Sequence, residues 1–394
     1  MQFPWNDWIP GVLNRAQIET LCKSGYVTGV EASGKTIDLS SIDLSLSDTA
    51  FEMTEGSVKP SGTSDYEHLL LGGRLAKELK PSVDRIYQLR AKSTYVFKLR
   101  ERLTHLVESN IYGQATAKSS VGRVDVLARL IVDGMDTYES FEPAALKGAS
   151  GNMYLEITPI TFNVAVRSGI RITQLRLFYG KPQDVEVKSS ELFKTVLQGP
   201  GSRNGSLSVH LENEKWGGLP VAAFYANGEA IADHSIPLWG DKGQGSDPCK
   251  YWRFKESIGG RLKIEKEQFY ILRSKEKIAV PPGIAVYCRA SDETIGEMRI
   301  HYAGFVHPYF GLLRKDGTTG TPLIFEVRGH QVSVNLADGE KMANLIFYRM
   351  SRDSEKPDPE DDDYGNQTLK LSKFFNEWPS KLKRNDNDAV EAAE

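Results

Sequence analysis

Apolar and polar positions alternate in short runs along most of this chain. Ile42-Asp43-Leu44-Ser45-Leu46 alternates strictly, the pattern of a strand with one face buried. Comparable runs at Tyr95–Leu99, Tyr154–Ile157, Ile172–Phe178, Phe269–Arg273, Ile284–Tyr287, Leu323–Val327 and Leu345–Tyr348 predict further strands between glycine and proline turns. Helical spacing is scarce: Ile18, Leu21 and Cys22 share one face of a short helix from about Arg15 to Tyr26. Many short strands with few helices predict an all-β barrel or sandwich, not alternating βαβ units.

The pattern recurs within the chain. Residues 93–126 lie without gaps over 267–300, so that 123 falls on 297. Residues 155–180 lie over 325–350, with Glu156 on Glu326, Gly169 on Gly339 and Leu175 on Leu345. The offset moves from 297 − 123 = 174 to 326 − 156 = 170, a small loop difference. Two copies of one unit are expected, at 1–198 and 199–351. Gly199 to Ser206 reads as an exposed linker, and the acidic stretch 354–367 opens a flexible C-terminal tail, 352–394.

Composition narrows the function classes. Lys and Arg number 49 against 52 Asp and Glu, a net charge of −3, without the basic excess of a general nucleic-acid binder. The three cysteines, Cys22, Cys249 and Cys288, show no CxxC spacing and fit a reducing compartment. The N-terminus lacks the basic and apolar regions of a secretory signal, and no apolar run is long enough to span a bilayer. A soluble, cytoplasmic protein is expected.

Three strings carry candidate chemistry. Lys118-Ser119-Ser120-Val121-Gly122-Arg123 places two cations and two hydroxyls within six residues, with Gly122 free to adopt an unusual backbone. It suits phosphate oxygens, and equally a polar turn; it is not a P-loop. His301-Tyr302-Ala303-Gly304-Phe305-Val306-His307-Pro308-Tyr309-Phe310-Gly311 sets aromatics around small residues and a proline, either a base-stacking hairpin or an ordinary aromatic turn. Glu156 and Glu326 each interrupt an apolar strand run, as an outward-facing residue or as a partly buried general base. The combined HxE…PCxxC constellation of zinc deaminases is lacking, and no zinc site is expected.

Taken in order, KSSVGRVDV, LEITPITFNVAVRSGIRITQLRLF, QFYILRSKEKIAVPP, GEMRIHYAGFVHPYFG, FEVRGHQV and YGNQTLKLSKFF resemble the dCTP deaminase branch of the dUTPase superfamily, in its bacterial form with two fused domains. The likeness runs from about Arg15 to Phe375. It implies a mainly all-β chain of two tandem dUTPase-like distorted β-barrels with a few short helices, in a homo-oligomer with threefold or pseudo-threefold contacts. It implies dCTP as substrate, dUTP as product, Mg2+ carried with the triphosphate, and dTTP as an inhibitor. By motif, Ser119 and Arg123 are catalytic with a Glu, either Glu326 or Glu156. Lys118 and Ser120 bind phosphate; His301, Tyr302, Ala303, Gly304 and Phe305 hold the base; Tyr364, Gln367, Lys370 and Lys373 close over the nucleotide.

Each copy departs from the family pattern where the other keeps it. Asp292 to Glu297 stands where copy one has Lys118 to Arg123, and acid there repels a triphosphate. Leu127-Ala128-Arg129-Leu130 stands where copy two has His301 to Gly304. One composite site per pair of copies is therefore expected, with Ser119, Ser120 and Arg123 facing Ala303 and Glu326. A bifunctional dCTP deaminase/dUTPase and a non-catalytic nucleotide-binding regulator are the alternatives. His307 matches the hairpin Asp of a dUTPase, and Asp133 of copy one has no hairpin around it.

Overall fold

The computed structural model describes residues 4–31, 36–201, 204–227, 234–240, 245–290, 298–301, 304–312, 314, 316–357, 367–385 and 389–393, with only the backbone at 298–301. Two strand assemblies follow one another. In the first, hydrogen-bonded neighbours run Val126–Val132, Asn152–Pro159, Tyr95–Leu103, Ile42–Met53, Arg171–Tyr179, Ile111–Ala117, Ser140–Phe141, in an antiparallel ten-stranded sheet. Register shifts between Leu46 and Ala50 and between Arg171 and Thr173 bend the long Ile42–Met53 strand so that it serves both sides of a distorted barrel.

The second assembly repeats this pairing, and the fold is mainly β as expected. Thr321–Gly329 lies between Phe269–Ile278 and Met298–His301, as Asn152–Pro159 lies between Tyr95–Leu103 and Val126–Val132. Lys341–Arg349 pairs with Ile284–Ala290, as Arg171–Tyr179 pairs with Ile111–Ala117. Every expected strand lies inside an observed one. The helix is shorter than expected, Arg15–Lys23. Asn14 and Gln17 cap its start reciprocally, and Gly25, at φ 77°, turns the chain out of it.

Burial differs from the expectation at three places. Ile42 to Leu46 is buried on both faces: Ser45 N–H donates to the buried Glu101 carboxylate at 2.8 Å, and Asp43 pairs with Lys118. The polar positions of the alternation therefore meet polar partners, not water. The exchange between assemblies lies ahead of the expected 198/199 boundary. Val187 N–H bonds Phe347 O at 2.7 Å, Val196 and Leu197 join the second core, and Leu197 pairs with Ile278.

The third place is the C-terminal segment, expected to be a flexible tail. At its described positions Leu369, Leu371, Phe374 and Phe375 are buried, and Trp378 packs against Phe254 with ring centroids 4.7 Å apart. Burying such side chains stabilises by roughly 1.5–3 kcal/mol each, enough to hold the segment down. The same apolar cluster includes Phe97 and Phe162 of the first assembly and Trp252 and Phe269 of the second. The halves share a core.

Candidate active site

Arg123 is carried by the loop that leaves Ile111–Ala117. Ser119–Gly122 makes one helical turn and delivers Arg123 to its end with only 2% of its surface exposed. Gly122 sits inside this turn; the left-handed residue of the loop is Asp125, at φ 57°. Arg123 Nε donates to Ser119 Oγ at 3.1 Å, Nη2 to Gln367 Oε1 at 2.8 Å and Nη1 to the Lys370 carbonyl at 3.2 Å. The Gln367 amide nitrogen in turn donates to Pro322 O at 3.0 Å, tying the tail to the Glu326 strand.

Glu326 enters from the other half. On Thr321–Gly329 it stands opposite His301 in register, and its Oε1 lies 4.0 Å from Arg123 Nε. Burial pushes its carboxyl up to about 8, while the Arg123 charge pulls the other way. Cys288, on the Ile284–Ala290 strand, has its thiol pushed up to about 12 by burial and by Glu326. A carboxyl that exchanges a proton near neutrality beside a fixed cation can serve as both base and acid.

Glu156 is the counterpart in the first half and has a different environment. Opposite it in register is Arg129, whose Nε donates to Glu156 Oε1 at 3.0 Å and whose Nη2 donates to the same oxygen. Tyr138 Oη donates to Oε2 at 3.1 Å, and the Arg129 guanidinium lies 4.1 Å from the Tyr138 ring centroid. Both Glu156 oxygens are engaged within their own half.

The remaining expected residues divide. Ser119 is exposed beside Arg123; Ser120 is buried, its carbonyl accepting from Ser372 Oγ at 2.7 Å. Lys118, expected at phosphate, is paired with the Asp43 carboxylate. Gly304 and Phe305 pair with Cys288 and Tyr287, and the buried Arg176 guanidinium stacks on Phe305 at 4.0 Å. Gln367 and Lys370 touch Arg123, while the Lys373 side chain is exposed. Tyr302, Ala303, Tyr364 and the 292–297 string lie outside the described residues, as does the His301 side chain.

Sequence reasoning missed Asp43, Arg176, Asp125 and Arg328. Arg176, in the apolar run Leu175-Arg176-Leu177-Phe178, carried the same signal as the two glutamates, a charge inside a buried strand. A cavity of about 690 Å³ opens between the Ile86–Leu89 strand and Tyr251, and neither Arg123 nor Glu326 lines it. Among the described residues no group of three or more His, Cys, Asp or Glu stands close enough together to hold a metal, and no helix is long and apolar enough to cross a membrane.

Two family models match the chain: the N-terminal domain of 2'-deoxycytidine 5'-triphosphate deaminase over residues 9–181, and its C-terminal domain over 198–375. The chain belongs to the dCTP deaminase family, in the form that fuses both domains. Among solved structures it is similar to the 2'-deoxycytidine 5'-triphosphate deaminase of Agrobacterium tumefaciens, with 27% identity over 88% of this chain and 97% of that one and a TM-score of 0.76. A comparison with curated protein sequences finds no match.

Proposed function

We propose that the chain deaminates dCTP hydrolytically to dUTP and ammonia at one composite site, with Glu326 as base and acid and Arg123 beside it. The observation that carries this assignment is the buried Glu326 carboxyl 4.0 Å from Arg123 across the two halves. Glu156, held by Arg129 and Tyr138, is assigned a structural role.

In its carboxylate form Glu326 takes a proton from water as the oxygen attacks C4 of cytosine. The C4–N3 π pair moves onto N3, which receives that proton. The proton of the new hydroxyl then passes by way of Glu326 to the amino nitrogen. The C4–N bond breaks, ammonia leaves and C4=O remains. Arg123 offsets negative charge at the developing oxygen, and Ser119 anchors Arg123 Nε. For a nucleotide to reach Arg123, Gln367 and Lys370 have to release it.

Mg2+ enters as the counter-ion of the triphosphate, and no protein-bound zinc is invoked. Phosphate cleavage has less support. Asp133 already accepts from Tyr66 N–H at 2.9 Å and from Ser150 Oγ, and His307 Nδ1 is 2.9 Å from Ser40 Oγ. The threefold assembly and dTTP inhibition rest on the family likeness; sedimentation and a dTTP titration test them.

Incubation with dCTP and Mg2+, after EDTA treatment and magnesium replenishment, followed by chromatography, tests the reaction. The expected product is dUTP. Release of dUMP and pyrophosphate points to a bifunctional enzyme, and tight dCTP binding without turnover to a regulator.

A further inference from the structure

The loop and strand that carry Arg123 and Glu326 also carry a second pair of opposite charges. Asp125 stands two residues beyond Arg123. Arg328 stands two beyond Glu326 and so on the same face of its strand. Arg328 Nη2 donates to Asp125 Oδ2 and to Thr161 Oγ1, and Nη1 donates to the Glu267 carbonyl. Thr161 Oγ1 donates to the same Asp125 oxygen at 2.5 Å. Asp125 is fully buried, and the Arg328 side chain is 15% exposed.

The backbone of Asp125 is fixed as firmly as its side chain. Its N–H donates to Gly122 O at 2.9 Å and its carbonyl accepts from Ile160 N–H at 2.9 Å, in the left-handed conformation that ends the Arg123 loop. By contrast, Arg123 and Glu326 meet at 4.0 Å, beyond hydrogen-bond distance. The Arg123 bonds described above run to Ser119 and to the tail segment, which must yield when a nucleotide binds. Asp125–Arg328 registers this loop on the Glu326 strand without involving the tail.

We propose that Asp125 and Arg328 are positioning residues whose ion pair sets the separation of Arg123 from Glu326. The proposal rests on the reading of Glu326 and Arg123 as the deaminating pair. It predicts that Asp125→Asn and Arg328→Met each lower kcat by about 10–100-fold, as small misplacements of catalytic groups do. KM for dCTP should change less than about threefold, because neither residue is placed on the nucleotide. The double variant should be no worse than either single one, because the two act as a unit. Arg328→Lys, which keeps the charge, should recover most of the loss.

A second readout does not depend on turnover. The thermal advantage of Glu326→Gln over its parent grows with pH until Glu326 is fully ionised, so the pH at which it stops growing reports that ionisation. Among the described side chains, the ionisable groups acting on Glu326 are Arg123 and Cys288, and the thiol stays neutral in this range; His301, opposite Glu326 in register, is common to all the proteins compared. Asp125→Asn/Arg328→Met removes one charge of each sign, so a displaced plateau reports the retreat of Arg123. The expected result is a plateau that moves above pH 8. A double variant with kcat within twofold of wild type, or with an unmoved plateau, overturns the proposal. If the wild type releases no ammonia from dCTP, the functional reading fails, and the plateau alone decides the positioning role.

Discussion

Replacing Glu326 by Gln keeps the shape of the side chain and removes its ionisation, so activity and stability should move in opposite directions. Burial raises the carboxyl from 4.5 to about 8. Each pH unit of such a displacement corresponds to about 1.4 kcal/mol, so holding Glu326 ionised in the fold costs at most about 5 kcal/mol, less after local relaxation. The sign follows from the direction. A carboxyl raised in the folded state contributes its full stability below about pH 4.5, loses it progressively as pH rises, and has lost it above about pH 8. Glutamine has no such loss. Thermal unfolding of both proteins from pH 5 to 9 should therefore show Glu326→Gln gaining on wild type up to about pH 8, then holding level. In the ammonia-release assay the same variant should be at least about 10³-fold slower, because it can neither take nor return a proton. A Gln variant that kept wild-type kcat, or a stability difference flat across that pH range, would sink the reasoning.

Glu156→Gln should keep kcat within about threefold yet lower stability by about 1–3 kcal/mol, through the weakened bonds to Arg129 and Tyr138; ammonia release and melting curves separate the two effects. Because Glu326 must be ionised to accept a proton, log kcat/KM should rise with pH and level off near pH 8; a profile flat from pH 6 to 9 assigns the base elsewhere. Gln367→Ala removes a bond that Arg123 has to give up before a nucleotide reaches it, so kcat/KM should hold or rise by up to about 10-fold, about the value of one hydrogen bond to a charged group, measured by steady-state kinetics.

Strands, repeat and the two glutamates were legible in the sequence because each leaves a local pattern: alternation, self-similarity, or a charge inside an apolar run. What a residue meets across the fold leaves none. Lys118 looks like a phosphate ligand in isolation, and only the folded Ile42–Met53 strand shows Asp43 beside it. The Asp125–Arg328 contact joins residues 203 positions apart, with no periodicity to announce it. The C-terminal segment reads as mobile from its acidic, proline-containing opening. Its anchors, Leu369, Leu371, Phe374 and Phe375, are too few and too unevenly spaced to form an element on their own, and they acquire meaning only against a core built by both halves.

That Arg123 and Glu326 belong to the two halves of one polypeptide has a genetic consequence. In an enzyme whose sites form between separate identical subunits, mixing two inactive point mutants regenerates some intact sites and partial activity returns. Here the two groups are partners within a single chain, at the high effective concentration that covalent linkage provides. Co-expressing an Arg123 mutant with a Glu326 mutant should therefore yield no complementation, since every site inherits one lesion or the other.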